Sequence, residues 1–170
     1  MGMGEPFHNE DSLSEAVHIL TRTDMFNRTP RSVLVSTVGI PDAMVRFAEK
    51  FPSVSQALSL HSTDPLVRER LIPLARRYTL TDLKSAVYSV NRIQKCEIMI
   101  EYLMLDGVND SLADANSLIA WLQTLNARVN LIPYNAIDDA PLLRCSSTES
   151  MNTFAEQLRA AGYETTIRYR

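Results

Sequence analysis

The sequence predicts an α/β fold, either an open doubly wound sheet or a barrel or part of a barrel. Three observations support this: short apolar runs recur along the chain, helical stripes separate them, and polar residues follow the runs. Alternation of strand and helix is typical of βαβ units with parallel strands. Because the apolar runs are nearly continuous, we expect a parallel sheet that is covered on both faces.

The strand candidates are short and apolar, and several are rich in β-branched residues, which favour extended chain. In chain order they are residues 33–38, 56–61, 97–105, 128–135 and 165–169, the last cut off by the chain end.

The helix candidates begin at a Ser or Thr followed three residues later by an acid, the pattern of a capping box. This pattern occurs at residues 12–15, 79–82, 111–114 and 146–149, each time before an apolar stripe of helical period. A shorter stripe follows Pro41, and Gly162 lies where the last helix should end.

Composition fits a single globular domain. The chain has 170 residues, 45% of them hydrophobic and 22% charged, with a net charge of −3. A net negative charge gives no general attraction to phosphate, so nucleic-acid binding would need a local basic cluster. No run is long enough to span a membrane. The two cysteines, Cys96 and Cys145, are far apart, which predicts free thiols.

Polar residues at the strand ends are the candidates for a binding site. The opening run, residues 1–6, combines two glycines, which permit close backbone approach to a ligand, with Glu5, whose carboxylate can accept from an amine or amide. Further polar groups follow later strands, at Ser36-Thr37, Ser59–His61, Asp106-Gly107 and Asn135. Ligands bind at the carboxyl ends of parallel strands, so these residues predict one shared site, which a barrel would gather best.

Five motifs occur in one order with matching separations, and together they resemble the RlmN/Cfr family of radical S-adenosylmethionine methyltransferases. The motifs are GMGEP at 2–6, VSTVG at 35–39, SLH at 59–61, EY with DGVND between 101 and 110, and NLIPYN at 130–135. The resemblance covers essentially the whole chain.

The resemblance implies a truncated partial (β/α)6 barrel of the radical S-adenosylmethionine type. Residues 1–170 would be the C-terminal part of the barrel domain, without the N-terminal region that binds a [4Fe–4S] cluster and without the C-terminal tail. The parent enzyme would methylate carbon 2 of an adenine in 23S ribosomal RNA, and in some members transfer RNA, using S-adenosylmethionine and a reducing electron donor. It would act in the cytoplasm, or in an organelle if a transit peptide has been lost.

The resemblance also implies which residues contact S-adenosylmethionine. They are Gly4 and Glu5 at its amino group, Ser36, the segment Ser59, Leu60 and His61 beside its ribose and adenine, and Asn135. It implies no catalytic residue and no metal ligand here, because the CxxxCxxC motif, the methyl-carrying cysteine and the proton-accepting glutamate of the family are missing.

Two alternatives remain open. The chain could be a binding module for S-adenosylmethionine or RNA without turnover. It could instead be an aldolase-like or isomerase-like barrel using Glu101, Asp106 or a lysine, although Lys50, Lys84 and Lys95 do not follow strands.

Other polar residues have structural interpretations. Glu101 and Asp106 differ in parity along one strand, which favours a structural or supporting role for both. Arg68, Arg70, Arg76 and Arg77 form a basic cluster, predicted to be a solvated helix face, with an RNA backbone contact as the alternative.

Overall fold

The computed structural model describes residues 4–94, 96–136 and 142–168. The strands are β1 Leu34–Thr37, β2 Ser55–Ser59, β3 Ile98–Met104, β4 Ala127–Pro133 and β5 Thr165–Ile167. The helices are α1 Glu10–Thr21, α2 Pro41–Lys50, α3 Pro65–Leu71, α4 Leu80–Gln94, α5 Leu112–Leu122 and α6 Thr148–Ala160. All five predicted strands are present. In these ranges no helix combines the length and apolarity needed to cross a membrane.

The strand order distinguishes between the two architectures left open by the sequence. The five strands lie in the order β1-β2-β3-β4-β5, and every neighbouring pair is parallel. In a doubly wound sheet the order in which strands are added reverses at a switch point, whereas in a barrel each new strand lies beside the one before it. The sequential order is therefore that of an arc of a barrel.

The two faces of the sheet differ. One face, here the helix face, packs against the helices in a single apolar cluster, to which each of β1 to β4 contributes alternate residues such as Val35, Leu58, Ile100 and Leu131. The opposite face, here the open face, carries mostly polar or half-exposed side chains. The expectation of a sheet covered on both faces holds only in part: burial alternates along β4, whereas three consecutive residues are buried in the middle of β2 and of β3.

The helix starts follow the predicted caps with small shifts. Reciprocal bonds form the capping boxes of Thr79–Asp82 and Ser111–Asp114. The helix α1 begins earlier than predicted, because the Asn9 side chain accepts from the Ser12 N–H and asparagine caps as well as serine. At α6 the cap is Ser147, one residue later than predicted.

The helix α3 carries two of the four clustered arginines, Arg68 and Arg70, and Arg68 is not on a solvated face. Arg68 is only 2% exposed. Its guanidinium donates to the Val38 carbonyl at 2.7 Å and to the Leu60 carbonyl at 3.3 Å. Arg68 therefore joins the chain segments that follow β1 and β2, and the predicted solvated face holds only for the exposed Arg70, Arg76 and Arg77.

Gly39, just after β1, is a position where any side chain would strain the backbone and push against core leucines. Its φ is +104°, and an added Cβ would lie 2.4 Å from the Leu83 Cδ2 atom in the core. We expect Gly39→Ala to lower the free energy of unfolding by about 2–4 kcal/mol, through backbone strain and overpacking together. Urea titration measures this change.

The matched control is Gly107→Ala. Gly107 also has a positive φ, +64°, but no atom lies within 4 Å of its added Cβ. We expect a loss of about 1 kcal/mol from the backbone alone. Equal losses for the two variants would contradict the overpacking argument.

Candidate functional site

The predicted site residues lie along the carboxyl edge of the sheet. Ser36 lies in β1, Ser59 is the last residue of β2, and His61 follows two residues later. Asn135 is exposed and comes two residues after the end of β4. Glu5 is joined to the residue that follows β1. The fold therefore gathers groups that lie far apart in sequence along one edge of four adjacent strands.

Glu5 anchors the opening loop to β1. Its carboxylate accepts from the Thr37 hydroxyl at 2.7 Å, the Val38 N–H at 2.8 Å and the Phe7 N–H at 3.1 Å. Of the two partners expected for this carboxylate, amine or amide, the protein itself supplies the amides. The backbone of Gly4 and Glu5 therefore remains available to a ligand in this loop. Chain residues 1–3 lie outside the described residues.

A carboxylate on the open face connects two of the predicted residues. Glu101 in β3 is 6% exposed, and one of its oxygens, Oε2, accepts from the Ser36 hydroxyl at 2.8 Å and the Ser59 hydroxyl at 3.2 Å. Register places Glu101 beside Ser59. Glu101 thus supports predicted site residues, whereas Asp106 is exposed and lies beyond the end of β3.

His61 is held by its backbone and its ring. It adopts the left-handed conformation at φ +60°, which ends the extended chain earlier than predicted. Its Nδ1 accepts from the Leu103 N–H at 3.1 Å. Burial, followed by the charge of Arg68, lowers the pKa of His61 to about 4. The ring is therefore neutral at pH 7, with its proton on Nε2, which no described residue contacts through a hydrogen bond.

Asn109, from the loop after β3, fixes the backbone of His61. It is fully buried, and its amide nitrogen donates to the His61 carbonyl and to the Leu103 carbonyl, both at 2.7 Å. Its amide oxygen accepts from the Leu105 N–H at 2.8 Å. The side chain is saturated within the protein, so its role is to hold other residues of the edge.

Leu60 lies between two predicted contacts but faces the core. Its side chain is fully buried, its N–H donates to the Glu101 carbonyl at 3.0 Å, and its carbonyl accepts from Arg68. It supports the positions of Ser59 and His61, and a ligand has access to neither its side chain nor a free amide.

The buried polar residues at the edge that sequence reasoning missed are Asn109, whose side chain is saturated, and Arg68, whose Nε has no hydrogen-bond partner among the described residues. Arg68 stood out only as one of four arginines, and Asn109 as part of a turn motif. No local pattern in either case shows that the side chain points inward.

Two depressions lie elsewhere on the described part of the chain. One of about 540 Å³ is lined by residues such as Arg31, Ser55 and Gln94. Another, of about 420 Å³, lies between α2 and α4 beside Asp42 and Tyr78. Neither contains a predicted site residue, so the edge described above is assigned on the convergence of its polar groups rather than on cavity size.

The chain does not fit an iron–sulfur cluster. Within the described ranges, no group of three His, Cys, Asp or Glu side chains could hold a metal. The sequence has two cysteines, and a [4Fe–4S] cluster needs about four protein ligands, or three with a small-molecule ligand on the last iron. Of the three lysines considered for an aldolase-like reaction, Lys50 and Lys84 lie on α2 and α4, and Lys95 lies outside the described residues.

The low pKa of His61 predicts a pH-dependent stability. Between pH 6.5 and about 4 the unfolded histidine is protonated and the folded one is not. The unfolded state then binds more protons, so stability is full above pH 6.5 and falls with decreasing pH through this window, by roughly 2–3 kcal/mol. Urea titrations at pH 7.5 and 4.5 measure the fall.

The control for this prediction is His61→Asn. Asparagine tolerates the left-handed conformation and offers an amide oxygen near the position of Nδ1, but it does not titrate. The fall between pH 7.5 and 4.5 should be smaller in this variant by the histidine contribution. An unchanged fall would show that other groups cause it.

Comparison with known proteins gives a consistent result, although no family model matches the chain. A probable RNA methyltransferase of Rhodopirellula baltica is 51% identical over 169 residues, covering 99% of this chain and 45% of that protein. A probable dual-specificity RNA methyltransferase RlmN of Chlorobaculum tepidum is 39% identical over 170 residues, again 99% of the chain and 45% of the relative.

Solved structures agree. A radical SAM methyltransferase from Sphaerobacter thermophilus matches 99% of this chain and 49% of its own, with a TM-score of 0.94 and 39% identity. A domain of pyruvate-formate lyase-activating enzyme from Bacteroides vulgatus, at 17% identity and a TM-score of 0.71, shares the fold. The chain spans about half the length of the curated relatives it matches, and over that span it is similar to RlmN-type RNA methyltransferases and to a radical SAM methyltransferase.

Proposed function

We propose that the carboxyl edge of this sheet binds S-adenosylmethionine for the methylation of RNA. The binding residues would be Gly4 and Glu5 in the opening loop, Ser36, Ser59, His61 and Asn135, with Leu60 holding its neighbours in place. The observation that carries the proposal is that these groups, from the opening loop and from three separate strand ends, lie on one edge of the sheet. Ligands of parallel α/β folds bind at this edge.

The chemistry of the edge suits the donors of S-adenosylmethionine. The ligand carries an ammonium group, two ribose hydroxyls and an adenine amino group, all hydrogen-bond donors. The edge offers acceptors: the Ser36 and Ser59 hydroxyl oxygens and the Glu101 carboxylate. The neutral ring of His61 adds no positive charge beside a sulfonium. When bound, S-adenosylmethionine supplies the methyl group and the radical chemistry, while this chain binds and orients it.

The remaining machinery would come from other parts of a full-length protein. Since two cysteines cannot hold the cluster, we propose that a region outside residues 1–170 supplies its ligands and receives the electron from a reducing donor. The proposed substrate is carbon 2 of an adenine in 23S ribosomal RNA, and of transfer RNA as a second substrate. The proposed compartment is the cytoplasm.

Equilibrium dialysis of the chain against labelled S-adenosylmethionine tests the binding proposal. We expect saturable binding that Ser36→Ala weakens by about tenfold, the effect of one hydrogen bond in a polar cluster. Ser117→Ala, on the exposed surface of α5, should leave the affinity unchanged. Absence of saturable binding by the parent chain would overturn the proposal.

A second measurement addresses the reaction. Because two cysteines cannot hold the cluster, the alternative that the chain is a binding module without turnover also has support. Mass spectrometry of 2-methyladenosine in ribosomal and transfer RNA, with and without the gene for the full-length protein, distinguishes the two. Loss of 2-methyladenosine on deletion supports the methyltransferase. Unchanged RNA, together with S-adenosylmethionine binding, supports the module.

A further inference from the structure

The cluster of Ser36, Glu101 and Ser59 contains only acceptors for a ligand. A carboxylate accepts but does not donate, so both serine hydroxyls spend their single proton on the Glu101 Oε2 atom. What each serine presents to its surroundings is a lone pair. The other carboxylate oxygen, Oε1, accepts from no group among the described residues. Three oxygens of one small region of the open face can therefore accept hydrogen bonds from a ligand.

Glu101 combines low overall exposure with one open acceptor. The residue is 6% exposed, and no Lys or Arg of the described ranges pairs with it, since the ion pairs found there are Arg22–Asp24 and Arg46–Glu10. Its Oε1 is not among the buried polar atoms that lack a partner, so this oxygen is open to solvent. The sheet places Glu101 beside Ser59, in the middle strand of the edge. A ligand bound at this edge would replace water as the donor to Oε1.

We infer that Glu101 is the specificity residue for the ribose diol of the bound nucleoside, with Oε1 accepting directly from a ribose hydroxyl and Oε2 orienting Ser36 and Ser59 as acceptors. This inference rests on the proposed function, which assigns the amino-acid end of the ligand to the loop of Gly4 and Glu5. That loop is attached at the end of β1, so the donors left for the cluster are the two ribose hydroxyls and the adenine amino group, and of these only the hydroxyls are adjacent to each other. Two adjacent hydroxyls match an array of acceptors that holds no donor.

The test compares S-adenosylmethionine with its 2′-deoxy and 3′-deoxy analogues by equilibrium dialysis of the chain. The parent should bind at least one analogue about 10- to 100-fold more weakly than S-adenosylmethionine, the range for a hydrogen bond to a charged group. Glu101→Gln still offers one oxygen to both serines but places an amide NH₂ where Oε1 was. It should reduce the preference for the hydroxylated ligand to about threefold or less.

A structural role alone would give a different result. Glu101→Ala that weakens all three ligands by the same factor, leaving their ratio at the parent value, would overturn the inference. A parent that binds the deoxy analogues as tightly as S-adenosylmethionine would also overturn it. So would a Glu101→Gln variant that keeps the parent ratio. Urea titration of each variant confirms that the compared proteins are folded.

Two controls separate this inference from the function on which it rests. Glu97→Gln changes an exposed carboxylate just before β3 and should keep the parent ratio. Removing the amino group from S-adenosylmethionine should lower the binding affinity by the same factor in the parent and in Glu101→Gln. A smaller loss of affinity in Glu101→Gln than in the parent would assign Glu101 to the ammonium instead. If the parent binds no S-adenosylmethionine at all, the proposed function fails and the inference falls with it.

Discussion

Glu5→Ala is expected to weaken S-adenosylmethionine binding by about 10- to 100-fold, although the carboxylate is already bonded within the protein. The variant removes the three hydrogen bonds that join the opening loop to Thr37, Val38 and Phe7. The backbone of Gly4 would then no longer be held at the edge. Because these are bonds to a charged acceptor, stability should also fall by about 1–3 kcal/mol. Dialysis and urea titration measure the two effects.

The comparison with Glu5→Gln identifies the cause. A glutamine keeps one accepting oxygen, although its NH₂ faces at least one backbone N–H. The loss of affinity and stability should therefore be smaller than for alanine, which keeps no acceptor. Glu10→Ala, which removes an exposed ion pair with Arg46, is the matched control and should leave ligand affinity unchanged. Parent-like affinity in Glu5→Ala would show that the loop is not part of the site.

Asn109→Asp should cause the largest loss of stability among single-atom changes at the site, about 2–4 kcal/mol. The substitution replaces an NH₂ that donates to the His61 and Leu103 carbonyls with an oxygen facing the same two carbonyls. The position is fully buried, so water cannot compensate. Since the displaced group is the backbone of His61, S-adenosylmethionine affinity should fall as well. Urea titration and dialysis again measure the effects.

The control is Asn91→Asp. Asn91 makes a similar set of bonds, donating to the Cys96 and Asn126 carbonyls and accepting from the Asn126 N–H. It lies before β3, at the opposite edge of the sheet, and is partly exposed. We expect a smaller loss of stability and unchanged ligand affinity. Equal losses of stability in the two variants would show that the burial of Asn109 adds nothing to the cost of the substitution.

The elements of the fold could be predicted because their signals are local. Strands β1, β3 and β4 lie in runs rich in apolar residues, and each capping box, Thr79–Asp82 and Ser111–Asp114, marks the start of a helix with a pattern only four residues long. The helix α3 was anticipated only as a basic face, because its seven residues are too short for an apolar stripe. The exposure of one face of the sheet was missed, because apolar runs look alike whether one or both faces are covered.

The site was predictable in part. The resemblance of the motifs pointed to Ser36, Ser59, His61 and Asn135, and the parallel fold explains why they share an edge. The supporting contacts could not be predicted, because they join residues far apart in sequence: Arg68 contacts Val38, and Glu101 contacts Ser36 across 65 positions. Such pairings depend on strand register, which no single stretch of sequence records.

The sequential strand order has a consequence for how the molecule loosens. Each strand touches only its immediate neighbours in the chain, as repeats do in a linear array. Opening can therefore begin at the outermost strands, β1 or β5, without disturbing the centre. A nucleoside bound across β1 to β4 would link these neighbouring strands to one another. Bound ligand would therefore slow amide exchange most at the outer strand β1. The cooperativity of unfolding would then come from the ligand as much as from the core.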